Sequence, residues 1–269
     1  MKKIIAIDLG GTNLRVALTK NNKIEKYIKK NTPKEKNSLL KELEDSISKF
    51  ISKDVIGIGM GSPGPLKNGV ILNPPNIPLK NFDIKTYLEK KFKKRTVIEN
   101  DAHCVAIAEA ELGHKKNNFI VLTLGTGIGG GIIINKKLYL GKDFAGELGH
   151  IIIDKGKYLE TLWKETKKEI VDEFGKEILI KDLLKMESAE SKKILDKIFC
   201  YLSQGIASLV NIFDPEIVVL SGGIKETGKE FLKKIEKETN KHVIFPRKTK
   251  IAWTKLKHPG IIGASLLIK

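Results

Sequence analysis

The sequence predicts an α/β protein built from two repeated halves around a central cleft. Strand-like apolar runs alternate with amphipathic helical patterns along all 269 residues, which is the α/β signature. Two glycine-rich turns share one design, each flanked by apolar runs. The first lies in Ile4 to Leu18, with Gly10-Gly11-Thr12 at its apex; the second lies in Phe119 to Ile134, with Gly125-Thr126-Gly127. Setting Leu9-Gly10 against Leu124-Gly125 brings both halves into register, and a repeated supersecondary unit implies a duplicated domain. Two such turns facing each other would offer two sets of backbone amides, suited to phosphate oxygens.

The elements follow in order. Ile4–Asp8 reads as a strand buried on both faces, and residues 14–19 as its hairpin partner. Ser38 to Ile51 carries Leu39, Leu40, Leu43, Ile47, Phe50 and Ile51 at helical spacing. Val55 to Met60 is the next strand, running into Gly61-Ser62-Pro63-Gly64-Pro65, which is expected to be irregular. Residues 67–82 hold turn formers throughout and read as a long ordered loop. Thr96 to Glu99 is a strand, and Ala102 to Leu112 a helix ended by Gly113. The polar stretch His114 to Asn118 marks the boundary between a first domain, 1–116, and a second, 117–258. In the second, Ile151–Ile153 and Ile217–Leu220 read as strands, and 160–174 and 190–213 as helices. The final helix, within 259–269, is expected to pack back on the first domain.

Composition narrows the partners. The formal net charge is +17, yet all but three of the 49 basic residues are Lys, often beside Glu. Base readout favours the arginine fork, so the charge reads as a solvated, ion-paired surface and no nucleic-acid partner is expected. Abundant Lys and Glu with a single Gln suggest a hot habitat. No apolar stretch reaches membrane-spanning length, and a strand already begins at residue 4, so no membrane partner and a cytoplasmic location are expected. Cys104 and Cys200 show no paired spacing and read as buried small apolar residues.

With these residues in view the chain resembles the ROK family of sugar kinases within the actin-like ATPase superfamily. Asp8-Leu9-Gly10-Gly11-Thr12-Asn13-Leu14-Arg15 resembles its first phosphate loop, and Gly146-Glu147-Leu148-Gly149-His150 narrows the match to ROK proteins. Further matches are Gly61-Ser62-Pro63-Gly64-Pro65, Pro75-Asn76, Glu99-Asn100-Asp101-Ala102, Leu124-Gly125-Thr126-Gly127 and Leu220-Ser221-Gly222-Gly223. The resemblance implies two RNase H-like domains, ATP and Mg²⁺ as cofactors, and phosphorylation of a hexose or N-acetylhexosamine. The family often forms homodimers, though no interface shows in the sequence.

Phosphoryl transfer needs a positioned donor, neutralised charge and an oriented acceptor hydroxyl. Gly10, Gly11 and Thr12 from one half, and Gly125, Thr126, Gly127 and Gly129 from the other, would bring amides to the phosphates, with glycine allowing close approach and positive φ; the plain alternative is two ordinary hairpin turns. By resemblance Asp8 would hold Mg²⁺ through water, against a turn-capping role. Arg15 is either a phosphate partner or an exposed strand residue. Asp101 would be the general base; its alternative is a helix N-cap, and the resemblance favours catalysis. Ser62, Asn76, Asn100, Asp101, Glu147, His150 and Glu160 would contact the sugar, and Gly222 and Gly223 the adenosine.

The chain departs from many ROK proteins after the Gly-Glu-Leu-Gly-His run, where Ile153 to Glu160 contains no cysteine. No structural zinc is therefore expected, and the loop must be braced around Tyr158 and Leu159. Glucose is the default substrate. N-acetylmannosamine, fructose or a polyphosphate donor are the enzymatic alternatives, and a sugar-sensing repressor lacking its DNA-binding segment is the alternative of another class.

Overall fold

In the computed structural model residues 2–268 are described, and they group into two compact units. The first comprises the chain up to Lys115, Leu140–Ala145 and the stretch from Leu256; the second comprises Lys116–Tyr139 and Gly146–Lys255.

The first unit begins with β1 (Lys3–Leu9), β2 (Asn13–Lys20), β3 (Lys23–Asn31), α1 (Lys36–Ser48) and β4 (Val55–Ser62). Short strands β5 (Leu66–Lys67), β6 (Val70–Ile71) and β7 (Phe82–Asp83) follow, then α2 (Ile84–Phe92), β8 (Arg95–Asn100) and α3 (Asp101–Glu111). The main sheet runs β3-β2-β1-β4-β8, antiparallel across β1, β2 and β3 and parallel across β1, β4 and β8.

Strand alternation decides what each face meets. Ile5, Ile7 and Leu9 join Leu39, Leu43 and Ile47 of α1 in one core, while Ala6 faces Cys104 and Ala264 on the other side. Asp8 shares the Ala6 face.

The second unit contains β9 (Phe119–Leu124), β10 (Ile128–Ile134), β11 (Lys137–Leu138), β12 (Ile152–Asp154), β13 (Lys157–Tyr158), α4 (Leu159–Phe174), α5 (Ile180–Leu183), α6 (Ala189–Phe213), β14 (Val218–Ser221), α7 (Gly228–Thr239) and β15 (Ile251–Trp253). Its sheet order, β11-β10-β9-β14-β15, repeats that of the first unit strand for strand, with a hairpin at one side and parallel strands at the other. Leu202, Ile206, Leu209 and Val210 of α6 pack with Leu122 and Leu220 in its core. The last helix, α8 (Pro259–Leu266), belongs to the first unit and lies against α3 and β1. A Cβ on Gly59 of β4 would stand 1.8 Å from the Ala264 carbonyl oxygen, so only glycine lets α8 lie this close to the strand.

Several expectations change. β4 continues through Gly61 and Ser62, which pair with Glu99 and Asn100; the irregular chain starts only at Pro63, which lacks the amide a ladder needs. α1 ends at Ser48, and Phe50 reaches the core from the turn beyond it. β3, α2, α7 and β15 carried no clear sequence signal. Cys104 is buried, but Cys200 is exposed on α6, its Sγ accepting from Gln204 Nε2 at 3.3 Å. Among the described residues no helix is long and apolar enough to cross a membrane.

Candidate functional site

Ligands of parallel α/β sheets sit at the carboxyl ends of the strands. In the first unit the register there aligns Asp8 with Gly61, Gly61 with Glu99, and Ser62 with Asn100. Asp101 follows directly as the first residue of α3. Asp8, Ser62 and Asn100 thus stand on three adjacent strands, next to the Gly10-Gly11-Thr12 turn, with Asp101 one residue beyond the third.

That turn is closed by Gly10 N donating to Asn13 O at 2.9 Å. Thr32 Oγ1 donates to Gly10 O at 2.6 Å and Lys34 Nζ to Gly11 O at 2.7 Å. A Cβ on Gly11 would lie 2.8 Å from Asn76 Cβ, so Asn76, in the left-handed region at φ 64°, packs over the turn. The expectation of positive φ at the glycines is corrected: Gly10, Gly11, Gly125, Gly127 and Gly129 all avoid it, whereas Gly222 adopts φ 98°. Glycine is needed at Gly11 and Gly127 for close approach rather than for backbone freedom.

Arg15 has a partner that neither sequence alternative names. It lies opposite Asp8 in the hairpin, and its Nη1 donates to Asp8 Oδ2 at 2.9 Å. Burial pushes the Asp8 carboxyl up, with Arg15 pulling against it. The amino end of α8 approaches the same carboxylate: a Cβ on Gly260 would come within 3.1 Å of it.

The cap of α3 is Asn100, not Asp101. Asn100 Oδ1 accepts from Ala102 N at 2.9 Å and His103 N at 3.2 Å, leaving the side-chain NH₂ as its donor. Asp101 Oδ1 accepts from Ala102 N at 2.8 Å and stands at the positive end of the helix. A Cβ on Gly61 would lie 3.3 Å from Asp101 Cα, which shows how tightly β4 backs this residue. Burial pushes the nearby Cys104 thiol well up, so it stays protonated and inert.

His103 received no role from the sequence, yet it ties this corner together. Its Nδ1 lies 2.9 Å from Glu99 Oε1 and its Nε2 2.9 Å from the Ala145 carbonyl oxygen. Glu99 Oε1 also accepts from Asn100 N at 2.8 Å. The Glu99–His103 spacing of one helical turn was the available signal.

In the second unit α4 holds the other glycine turn. Glu160 Oε2 accepts from Ile128 N at 2.7 Å, and Lys164 donates to Glu160 Oε1 at 2.5 Å. A Cβ on Gly127 would stand 2.3 Å from Glu160 Oε2. Burial acts to raise the Glu160 carboxyl, but Lys164 and the Ile128 amide outweigh it, leaving it below its ordinary value. Glu160 therefore carries a bond to the turn that the sequence did not foretell. One and two turns further along α4, Trp163 Nε1 donates to Gly125 O at 3.0 Å and Lys167 Nζ donates to the same oxygen. Gly129 lies inside β10 opposite Thr123, beyond the turn proper.

Glu147 precedes a short 3-10 turn, Leu148–His150, in which His150 Nδ1 lies 3.5 Å from Glu147 Oε2. The His150 ring rests 5.5 Å from that of Tyr158, and Leu159 N donates to Ile151 O at 2.9 Å. These contacts brace the loop that has no cysteines. Gly222 directly follows β14; a Cβ there would meet Leu124 O at 2.4 Å, so Gly222 and Gly223 stand beside the Gly125 turn at the carboxyl edge of this sheet. The first unit thus gathers Asp8, Gly10, Gly11, Thr12, Arg15, Ser62, Asn76, Asn100 and Asp101; the second gathers Gly125, Thr126, Gly127, Gly129, Glu147, His150, Glu160, Gly222 and Gly223.

Two units with this strand order and glycine turns at the same sheet edge define an α/β protein of the actin-like ATPase class. The sequence pattern of the ROK family matches residues 4–269, and the chain belongs to that family. It is 28% identical to a glucokinase of Halalkalibacterium halodurans, over 98% of this chain and 94% of that protein. A xylose repressor of Caldicellulosiruptor bescii is likewise 28% identical, over 96% of this chain and 76% of the repressor. Among solved structures, the ROK hexokinase of Thermus thermophilus is similar with a TM-score of 0.84 and 27% identity, covering 99% of this chain and 97% of that one.

Proposed function

We propose that this chain is an ATP-dependent sugar kinase acting on a hexose, with glucose the first substrate to test. The observation that carries the reading is the row Asp8, Ser62, Asn100 and Asp101 along the carboxyl ends of β1, β4 and β8, beside the first glycine turn. In-line transfer requires those parts together: a metal-orienting carboxylate, a base and amides for the phosphates. Similarity to a glucokinase and to a ROK hexokinase supports it.

In this reading Asp101 accepts the proton of the attacking hydroxyl. Asn100 donates to the sugar through its side-chain NH₂, since its carbonyl oxygen is taken by the cap. Asn76, Glu147, His150 and Glu160 complete the hydroxyl contacts, and such a polar set rejects sugars lacking a matched hydroxyl; Ser62, expected among them, is fully buried and backs Asn100 from the neighbouring strand instead. Gly10, Gly11, Thr12, Gly125, Thr126 and Gly127 take the phosphates, and Gly222 and Gly223 the adenosine. Mg²⁺ fits Asp8: a single carboxylate, one oxygen already held by Arg15, suits an ion that keeps most of its waters. Asp8 would hold it through water, with Arg15 orienting the carboxylate, and the ion would neutralise charge on the donor's phosphates.

The test is Asp101→Asn, assayed by ADP release over a panel of sugars and by sugar titration. Turnover should fall by about 10²-fold or more while sugar affinity stays near that of the parent. Unchanged turnover would remove Asp101 from the base role. The likeness to a xylose repressor favours one rival, a sugar-responsive DNA binder; no turnover with any sugar, together with DNA retention at moderate salt, would select it.

A further inference from the structure

The basic side chains around the second glycine turn are not equivalent. Lys164 is matched by Glu160. Lys167 is half-buried, and among the described residues no carboxylate lies within salt-bridge distance of it; Glu177 acts on it only from further away. Its ammonium donates to the Gly125 carbonyl and lies 5.0 Å from the centre of the Trp163 ring, whose own N–H donates to the same oxygen. Burial lowers its pKa from the usual lysine value. A partly desolvated cation with three protons, one carbonyl and no counter-charge is a costly arrangement. It becomes favourable when an anion arrives. The first turn has a counterpart in Lys34, whose ammonium rests on Gly11 O, but Lys34 is exposed and well hydrated.

We infer that Lys167 is a donor-phosphate ligand of this chain: its ammonium, held over Trp163 at the Gly125 turn, takes a non-bridging phosphoryl oxygen of the incoming donor. The inference rests on the kinase reading and refines it. Affinity at this turn then comes from the phosphate tail rather than the base, through a charge-assisted contact. Trp163 is a positioning residue, fixing the aliphatic stem of Lys167 while its indole N–H keeps hold of the turn.

The experiment is calorimetric titration of the unaltered chain, Lys167→Met and Lys167→Arg with MgATP, adenosine, inorganic tripolyphosphate and glucose. Lys167→Met should weaken MgATP and tripolyphosphate by about tenfold and leave adenosine and glucose as in the parent. Lys167→Arg should retain most of the phosphate affinity. Equal weakening of adenosine and MgATP would overturn the inference, because that is the mark of a distorted turn; so would unchanged MgATP affinity. If the parent itself fails to bind MgATP, the kinase reading falls; if the parent binds and Lys167→Met binds equally, only the present inference falls. Should Lys167→Met not fold, acetic anhydride labelling of the unaltered chain decides. Tripolyphosphate should slow acetylation of Lys167 several-fold relative to the exposed Lys185, and equal rates with and without it would refute the assignment.

Discussion

Gly127→Ala isolates the grip of α4 on the second turn. The backbone at Gly127 is not left-handed, so alanine meets no φ penalty. Elsewhere such a change gains about 0.4–1 kcal/mol by restricting the unfolded chain. Here the new methyl would stand 2.3 Å from Glu160 Oε2, and the carboxylate must leave. It then gives up the 2.7 Å bond from Ile128 N. Hydrogen bonds to a charged group contribute about 1.5–3 kcal/mol, so the loss outweighs the gain. A net destabilisation of about 1.5 kcal/mol lowers the melting midpoint by roughly 3–6 °C for a protein of this size. The decisive measurement is a double-mutant cycle by thermal and urea unfolding with Gly127→Ala, Glu160→Ala and the pair. Once Glu160 is gone the methyl has nothing to strike, so the pair should be no less stable than Glu160→Ala alone, with a coupling of about 2 kcal/mol. Additive losses, or a Gly127→Ala protein that melts like the parent, would refute the reasoning.

The pH response of Glu160 has a definite sign. Its folded carboxyl is held below the ordinary value, so its stabilisation is present above the unfolded pKa and is lost as pH falls through the folded one. The melting difference between the parent and Glu160→Gln should therefore be full at neutral pH and shrink below about pH 4. Glu147→Ala should weaken sugar binding far more than ATP binding in paired titrations; equal effects on both would remove it from the sugar contacts. His103→Leu severs the bonds to Glu99 and Ala145, at a cost of about 2–3 kcal/mol, and limited proteolysis should then cut within Leu140–Ala145, where the parent resists. Gly59→Ala drives a methyl into the backbone of α8 and should lose about 3 kcal/mol or more, read as a lowered midpoint or insoluble protein.

Much of the sheet scaffold could be read from the sequence because its strands are buried apolar runs closed by glycine. β1, β4, β9 and β14 lie in sheet interiors, where composition must follow burial. β3 escaped because it is an edge strand with Lys23, Lys26, Lys29 and Lys30 largely in solvent, a common guard on sheet edges. α7 buries only Phe231, Ile235 and Thr239 amid charged residues, too thin a stripe to stand out. In the candidate site, residue types and chain order were legible but partners were not. The Asp8–Arg15 pair could have been found by counting the hairpin register back from the turn. The cap passed to Asn100 rather than Asp101 by a shift of one residue, a margin propensity does not resolve. The contacts of His103 with Ala145, and of Trp163 and Lys167 with Gly125, join segments distant in sequence, and no local pattern encodes them.

The place of α8 in the chain bears on how the molecule forms. Its residues follow all the other described elements, yet they cover the glycine face of β4 and pack on α3. During synthesis the first sheet must wait with that face uncovered while the whole second unit is translated and able to fold. Among the described residues, Pro259–Leu266 follows the whole second unit, so the first unit is not completed by its own contiguous stretch of chain, and a chain cut before Pro259 would lack the helix that covers β4.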